Sequence, residues 1–278
     1  MPELPEVETV RRTLKELVVG EIIHDVTVNW SKIIKHPDDS QRFIELIKGE
    51  YIQDIHRKGK FLLFELTHYT LVSHLRMEGK YSVFQPSEPI NKHVHVVFDL
   101  KSGKQLRYQD VRKFGTMHLF SKEEAKTSKP LSLLGPDPFE DNYSIERIIP
   151  LIQKSDRVIK NILLDQQVIA GLGNIYVDET LFRAQIHPLR KGSSLSDTEL
   201  RVILAEAKQT LTEAVEQGGT TIRSYVNTQG KMGMFQQQLF AYGQENKPCK
   251  RCGHPISKMK VSNRGTHICE VCQTLDNS

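Results

Sequence analysis

Two groups of residues in this sequence have the types and spacing to do chemistry. The first is the opening stretch Met1-Pro2-Glu3-Leu4-Pro5-Glu6-Val7-Glu8-Thr9. Methionine before a small residue such as proline is normally removed after synthesis, so the expected mature N-terminus is Pro2. A free α-amino group has a pKa of about 7.7–8.0, against about 10.4 for lysine. At pH 7 roughly one-sixth of it is uncharged, whereas only about one lysine in 2,500 is. As a secondary amine, proline attacking a sugar aldehyde carbon would give an iminium. That cation is the electron sink on which covalent amine catalysis relies. Glu3 stands beside it to move protons. The same stretch also reads as a helix start, with Pro5 in the first turn and Glu6 and Glu8 at the positive end of the dipole. That reading leaves Pro2 and Glu3 without a purpose.

The second group is Cys249-x2-Cys252 and Cys269-x2-Cys272, with 16 residues between the pairs. Two such knuckles supply four thiolates for one tetrahedral Zn2+ with every position filled, which makes the site structural. The alternative is four unrelated buried or free thiols. Lys258, Lys260 and Arg264 lie between the knuckles, where a short β-hairpin would present them. So small a hairpin cannot bury a core, and the metal would supply most of its folding free energy.

These groups need elements to hold them. At 278 residues, 38% hydrophobic and 26% charged, the chain has the composition of a globular protein with two domain-sized cores. No apolar run approaches a membrane span and no basic-then-apolar leader opens the chain, so the expectation is a cytoplasmic protein without a membrane partner. A net charge of +4 identifies no partner, but from Lys247 to Arg264 there are six Lys or Arg and no acid. Phosphate backbones are attracted to such a surface. Val7, Val10, Leu14, Leu17 and Val18 predict one amphipathic helix, and Asp39–Lys48 a shorter one. Strand patterns then follow at 20–30, 51–55, 61–66, 70–75, 81–84, 93–100, 105–108 and 116–120, punctuated by Gly59, Gly79, Gly103 and Gly115. Short strands so spaced predict an antiparallel β-sandwich, not a parallel sheet. A Lys/Ser/Pro/Gly-rich stretch from Ser121 to Tyr143 contains the breaker Gly135-Pro136-Asp137-Pro138. Helical spacing covers 144–153, 157–166, 174–184 and 196–217, the last opened by the capping box Ser196-Asp197-Thr198-Glu199. Residues 218–238 read as a long loop. The fold class is therefore α+β, in three segments: 1–130 the sandwich, 131–238 helical, and 239–275 the zinc hairpin.

Several turn residues admit two readings. Gly171-Leu172-Gly173-Asn174-Ile175-Tyr176, between two helical patterns, is either a plain turn or a phosphate seat at a helix N-terminus. Lys60, in Arg57-Lys58-Gly59-Lys60, reads on its own as a solvated turn lysine. Met77 and Phe114 fall at hairpin turns, where each either folds back onto the core or remains exposed. Exposed, they could act as wedges that, with an arginine, fill the gap left by an extruded nucleotide.

The opening Pro-Glu-Leu-Pro-Glu-Val-Glu-Thr, the motifs His74-Leu75-Arg76-Met77-Glu78-Gly79 and Asp110-Val111-Arg112-Lys113-Phe114-Gly115, the glycine turn before Asn174 and the cysteine pairs together resemble the formamidopyrimidine-DNA glycosylases (Fpg) along essentially the whole chain. The resemblance implies a helix–two-turns–helix element and a bifunctional enzyme, glycosylase and abasic-site lyase, acting as a monomer on duplex DNA with oxidised bases. It implies Pro2 as nucleophile, Glu3 as proton shuttle, and Lys60 and Arg264 as assistants in the eliminations. Lys60, His74, Asn174 and Arg264 would converge on phosphates, Met77 and Phe114 would fill the gap, and Arg112 would read the orphaned base. His93 and Lys160 complete the expected DNA-contacting set. Where the family often carries a lysine this chain has Asp156, and Lys160 or Arg157 is the expected substitute. Pro-Glu-Leu-Pro-Glu favours Fpg over its sibling endonuclease VIII, which typically opens Pro-Glu-Gly-Pro-Glu. A non-enzymatic zinc-dependent DNA-binding protein is the alternative of a different class. It would leave Pro2-Glu3 and the Met77/Arg112/Phe114 set idle. The expected setting is bacterial, nucleoid-associated when bound to DNA.

Overall fold

The structure, a computed structural model, describes residues 1–141, 143–220 and 233–275. In chain order the elements are α1 (Leu4–Val18), β1 (Ile23–Val28), β2 (Ile34–His36), α2 (Ser40–Ile47), β3 (Ile52–Lys58), β4 (Phe61–Leu66), β5 (Tyr69–His74), β6 (Lys80–Phe84), β7 (Val94–Leu100), β8 (Gln105–Gln109), β9 (Thr116–Ser121), α3 (Lys122–Thr127), α4 (Ile145–Gln153), α5 (Ile159–Leu164), α6 (Asn174–Ala184), α7 (Asp197–Glu216), β10 (Ser257–Val261) and β11 (Arg264–Ile268). They divide into two compact units, one of residues 1–132 with 220–233, the other of 133–219 with 234–278.

The first unit is a sandwich of two sheets, with strand orders β1-β7-β8-β6 and β2-β9-β5-β4-β3. Period-two alternation turns Leu62, Phe64 and Leu66 on β4 and Val96, Phe98 and Leu100 on β7 into one core, and on β3 a register shift between Ile52 and Asp54 brings both Ile52 and Ile55 into it. Val7, Val10, Leu14 and Val18 of α1 lie at most 2% exposed in the same core. Burying each contributes about 1.5–3 kcal/mol relative to leaving it in water. Leu17, expected on that stripe, is only partly buried. Pairing is antiparallel except for the short parallel pair of β2 with β9. Neither β2 nor α3 was expected, and α3 occupies part of the stretch that reads as linker.

The second unit is helical and includes the β10–β11 hairpin. Ser196 Oγ accepts the Glu199 N–H at 3.2 Å, closing the expected capping box of α7. Of the loop expected at 218–238, residues 221–232 lie outside the described residues, and Phe235–Gln237 forms a single 3-10 turn.

Candidate active site and nucleic-acid interface

The N-terminus is fixed by the first turn of α1. The Glu3 N–H donates to Glu6 Oε2 at 2.8 Å, and the other Glu6 oxygen accepts the Thr220 N–H at 2.7 Å. Glu3 and Glu6 are 2% and 4% exposed, and Pro2 is buried. The turn bearing Lys60 is tied to the same helix. Gly59 takes φ 55, a left-handed conformation that glycine adopts without strain. Its carbonyl accepts Arg57 Nη1 at 2.8 Å, while Arg57 Nε donates to Glu8 Oε2 at 3.2 Å. Burial works against ionisation of Glu8, but Arg11, Arg57 and Arg12 outweigh it and hold its carboxyl below the ordinary range. Lys60 itself is 5% exposed, so it is not a solvated turn lysine.

His74 faces Phe61 across the β4–β5 pair, with ring centroids 4.5 Å apart. Its Nδ1 accepts the Arg76 N–H at 2.9 Å. Burial, and then the charges of Arg76 and Lys60, push its pKa down to about 3. The ring is therefore neutral at pH 7, and with Nδ1 accepting, Nε2 carries the proton. Lys60 is near enough for its charge to act on His74, which offers a neutral N–H donor.

Two loops follow, and both expose their apolar residues. The Met77 loop closes with the Gly79 N–H on the Leu75 carbonyl at 2.9 Å, and Arg76 adopts φ 54. In the second loop Asp110, 1% exposed, takes three backbone donors. The Arg112 N–H reaches Oδ1 at 3.0 Å, and those of Phe114 and Gly115 reach Oδ2 at 2.8 Å each. This carboxylate holds Lys113 at φ 58, a conformation costing about 1–3 kcal/mol. Met77 is 36% and Phe114 51% exposed, which rules out folding back onto the core. The Arg112 guanidinium stacks 4.8 Å from the Phe114 ring. Met1, Trp30, Met77, Arg112 and Phe114 line one open cleft of about 520 Å3. His93 does not line the cleft; it is half-buried, and its carbonyl accepts the N–H of Asp110, at the base of the Phe114 loop, at 2.9 Å. Asp110 is the functional residue that sequence reasoning passed over, although aspartate opening a tight turn is itself a turn signal.

In the second unit Asn174 is the first residue of α6, and its Nδ2 donates to the Gly265 carbonyl at 2.9 Å. Arg264 is exposed at the start of β11, beside the two-residue turn Ser262-Asn263, whose φ of 47 and 64 suit a type I′ hairpin. Lys160 is where the structure corrects expectation. It is fully buried, 2.6 Å from Asp178 Oδ1, and donates to Thr266 Oγ1 at 2.7 Å. An ammonium out of water is stable only when paired, so Lys160 is committed to Asp178 and Thr266 and is not a surface contact. The other Asp178 oxygen accepts the His267 N–H at 2.9 Å. Lys160 and Asp178 thus hold the hairpin that carries Arg264. Asp156 is exposed and accepts Ser193 Oγ at 2.7 Å, and Arg157 pairs with Asp165 at 2.9 Å. Glu179, also overlooked, accepts the N–H groups of Phe240, Ala241 and Tyr242 at 2.8–2.9 Å. Burial pushes its pKa up despite those three bonds.

The four cysteines converge, which excludes four unrelated thiols. Their sulfurs all lie within 4.8 Å of one another, with Cys249–Cys272 at 3.9 Å and Cys252–Cys269 at 3.4 Å. A tetrahedron with bonds of about 2.3 Å places sulfurs about 3.8 Å apart, so the set fits one structural Zn2+. Around it Phe182, Ala241, Ile256, Cys249 and Cys269 form a small core.

An N-terminal amine beside two loops with exposed apolar tips, together with a basic zinc hairpin braced on helices, is an arrangement suited to the class of DNA-repair glycosylases. Family profiles place the chain more narrowly. Residues 1–117 match the formamidopyrimidine-DNA glycosylase N-terminal domain, 134–226 its H2TH domain, and 246–275 the zinc finger found in Fpg and IleRS. The chain belongs to the formamidopyrimidine-DNA glycosylase family. It is 55% identical to the formamidopyrimidine-DNA glycosylases of Oceanobacillus iheyensis, over 98% of each chain, and of Bacillus subtilis, over 99% of each. The Lactococcus lactis Fpg in complex with abasic-site DNA superposes with a TM-score of 0.92 at 38% identity, covering 98% of this chain and 100% of that one.

Proposed function

We propose that this protein excises oxidised purines, chiefly 8-oxoguanine and formamidopyrimidines, from duplex DNA and then cleaves the strand by β,δ-elimination. The observation that carries this reading is the place of Met1. It lines the same cleft as Met77, Arg112 and Phe114, so removing it leaves the Pro2 nitrogen at the cleft into which a flipped nucleotide would pass. There the neutral amine attacks C1′ and the damaged base leaves with the bonding pair. Glu3 protonates the opening sugar oxygen. The resulting iminium acidifies the C2′ protons, and loss of one expels the 3′ phosphate. Lys60 assists this step and Arg264 the second, δ, elimination. His74 and the second Asn174 N–H donate to phosphates, and His93 stands near them. Met77 and Phe114 fill the gap while Arg112 meets the orphaned base. Lys160 acts through Arg264's hairpin and not on DNA.

The zinc is structural, and the four thiolates that hold it leave no position for substrate. Among the described residues no helix is long and apolar enough to cross a membrane. The relatives are bacterial, and we propose that the protein works as a monomer in a bacterial cytoplasm, on the nucleoid when bound to DNA.

The test is a duplex bearing one 8-oxoguanine, incubated with borohydride. Strand cleavage and a reduced cross-link mapping to Pro2 are expected, and both should vanish when Met1 is retained or a tag precedes it. A cross-link at Lys60, or full activity from a tagged chain, would overturn the assignment.

A further inference from the structure

Tyr108, on β8, takes no part in the steps above. It is fully buried, and its ring lies 5.1 Å from Tyr81, its partner across the β6–β8 pair. Tyr81 is itself fixed, donating from its hydroxyl to Ser73 Oγ at 2.7 Å. The Tyr108 hydroxyl ends beneath two glycines that belong to different loops. Gly79 closes the Met77 loop and Gly115 closes the Asp110–Phe114 loop. A Cβ on Gly115 would land on the Tyr108 hydroxyl and lie 2.7 Å from Cζ, and a Cβ on Gly79 would strike the same hydroxyl. Each loop has its own internal hydrogen bonds, to Leu75 in one case and Asp110 in the other. Tyr108 touches the closing residue of both.

We infer that Tyr108 is a positioning residue whose hydroxyl seats both loops, so that Met77 and the Arg112–Phe114 pair enter DNA as one body. This rests on the reading that those residues fill the gap left by a flipped nucleotide. Close packing transmits displacement, because a side chain wedged between two backbones cannot follow one without moving against the other. Gap filling requires the wedges to arrive at the same base step. Two loops moving independently would each have to find the inserted position separately.

The experiment is a double-mutant cycle repeated in two backgrounds. Single-turnover excision of 8-oxoguanine is measured for Met77→Ala, Phe114→Ala and the pair, first with Tyr108 and then with Tyr108→Phe, which keeps the ring and removes the hydroxyl. With Tyr108 each single change should slow excision about tenfold and the pair by well under a hundredfold, the signature of coupled residues. In Tyr108→Phe the two effects should multiply towards about a hundredfold. A general loss of stability lowers all rates together and leaves the coupling unchanged, so equal coupling in both backgrounds overturns the inference. If both single variants work at the wild-type rate, the gap-filling reading itself fails and the coupling with it. A rescue is independent of the cycle: Gly115→Ala should slow excision, and adding Tyr108→Phe should restore part of the rate by removing the closest clash, the ring carbon at 2.7 Å remaining to be accommodated. Gly115→Ala at full rate would also overturn the inference.

Discussion

Replacing Asp110 by asparagine keeps the shape of the side chain and tests whether the Phe114 loop must be ordered before excision. Oδ2 accepts two N–H groups and Oδ1 one, all from a side chain that is 1% exposed. The asparagine oxygen can take over the two bonds of Oδ2, but its NH2 then faces the Arg112 N–H, so the third bond is lost. A hydrogen bond to a charged group contributes about 1.5–3 kcal/mol and one to a neutral group about half that. Losing one and weakening two costs about 3 kcal/mol, nearly all of it falling on the loop, where Lys113 needs help to stay at φ 58. At about 1.4 kcal/mol per factor of ten, the ratio of formed to unformed loop falls roughly a hundredfold, and where the wild-type loop is only marginally formed its population falls as far. Single-turnover excision of 8-oxoguanine should fall by that factor, while affinity for undamaged duplex and the melting temperature change little. Wild-type excision by Asp110→Asn would refute the reasoning, since the loop's order would then be immaterial.

Three further outcomes follow from the same geometry. Cys269→Ser, or prolonged chelation, should release zinc and abolish DNA binding while the sandwich unit keeps its circular dichroism; persistent binding after complete zinc loss would refute this. Asp178→Ala strands a buried ammonium and should destabilise the protein by about 3–5 kcal/mol, read by denaturant melting, whereas Lys160→Met with Asp178→Leu should recover part of that loss and leave about 1–3 kcal/mol for the unpaired His267 N–H. His74 stays neutral when folded, with its pKa held near 3 against an ordinary 6.5. Between those values the unfolded chain binds the extra proton, so stability is complete above pH 6.5 and falls with acidification by up to about 1.4 kcal/mol per pH unit. A His74→Gln variant should lose that slope, which urea melts at pH 5 and 7 would reveal.

Sequence periodicity carried the sandwich because its strands are local patterns: the alternation in β4 and β7 follows directly from which face meets the core, while in β3 a register shift between Ile52 and Asp54 breaks it. The strand β2 was hidden because three residues hold no period, and its parallel pairing with β9 is decided by the surrounding fold. The helix α3 lay in a Lys- and Ser-rich stretch, yet Ser121-Lys122-Glu123-Glu124 has the spacing of a capping box, and the structure forms it. Chemistry at short spacing, as in the cysteine pairs, was equally readable. Lys160 was not, because Ile159-Lys160-Asn161 reads as one polar step on a helix, and its partner Asp178 lies 18 residues away. The burial of Lys60 was obscured in the same way, since a lysine after a glycine turn reveals nothing of the helix that packs against it.

The β10–β11 hairpin has a mechanical consequence. Five residues of strand extend about 17 Å, and a ribbon anchored only at its metal end would swing most at the tip, where Arg264 sits. Here the far end is also fastened: Asn174 Nδ2 donates to the Gly265 carbonyl, Lys160 donates to Thr266 Oγ1, and Asn161 Nδ2 donates to Ser262 Oγ at 2.7 Å. The arginine is therefore carried by a beam supported at both ends, not by a cantilever. Its backbone contributes little to the arc it can sweep, and the range of its guanidinium is set by its own side-chain torsions.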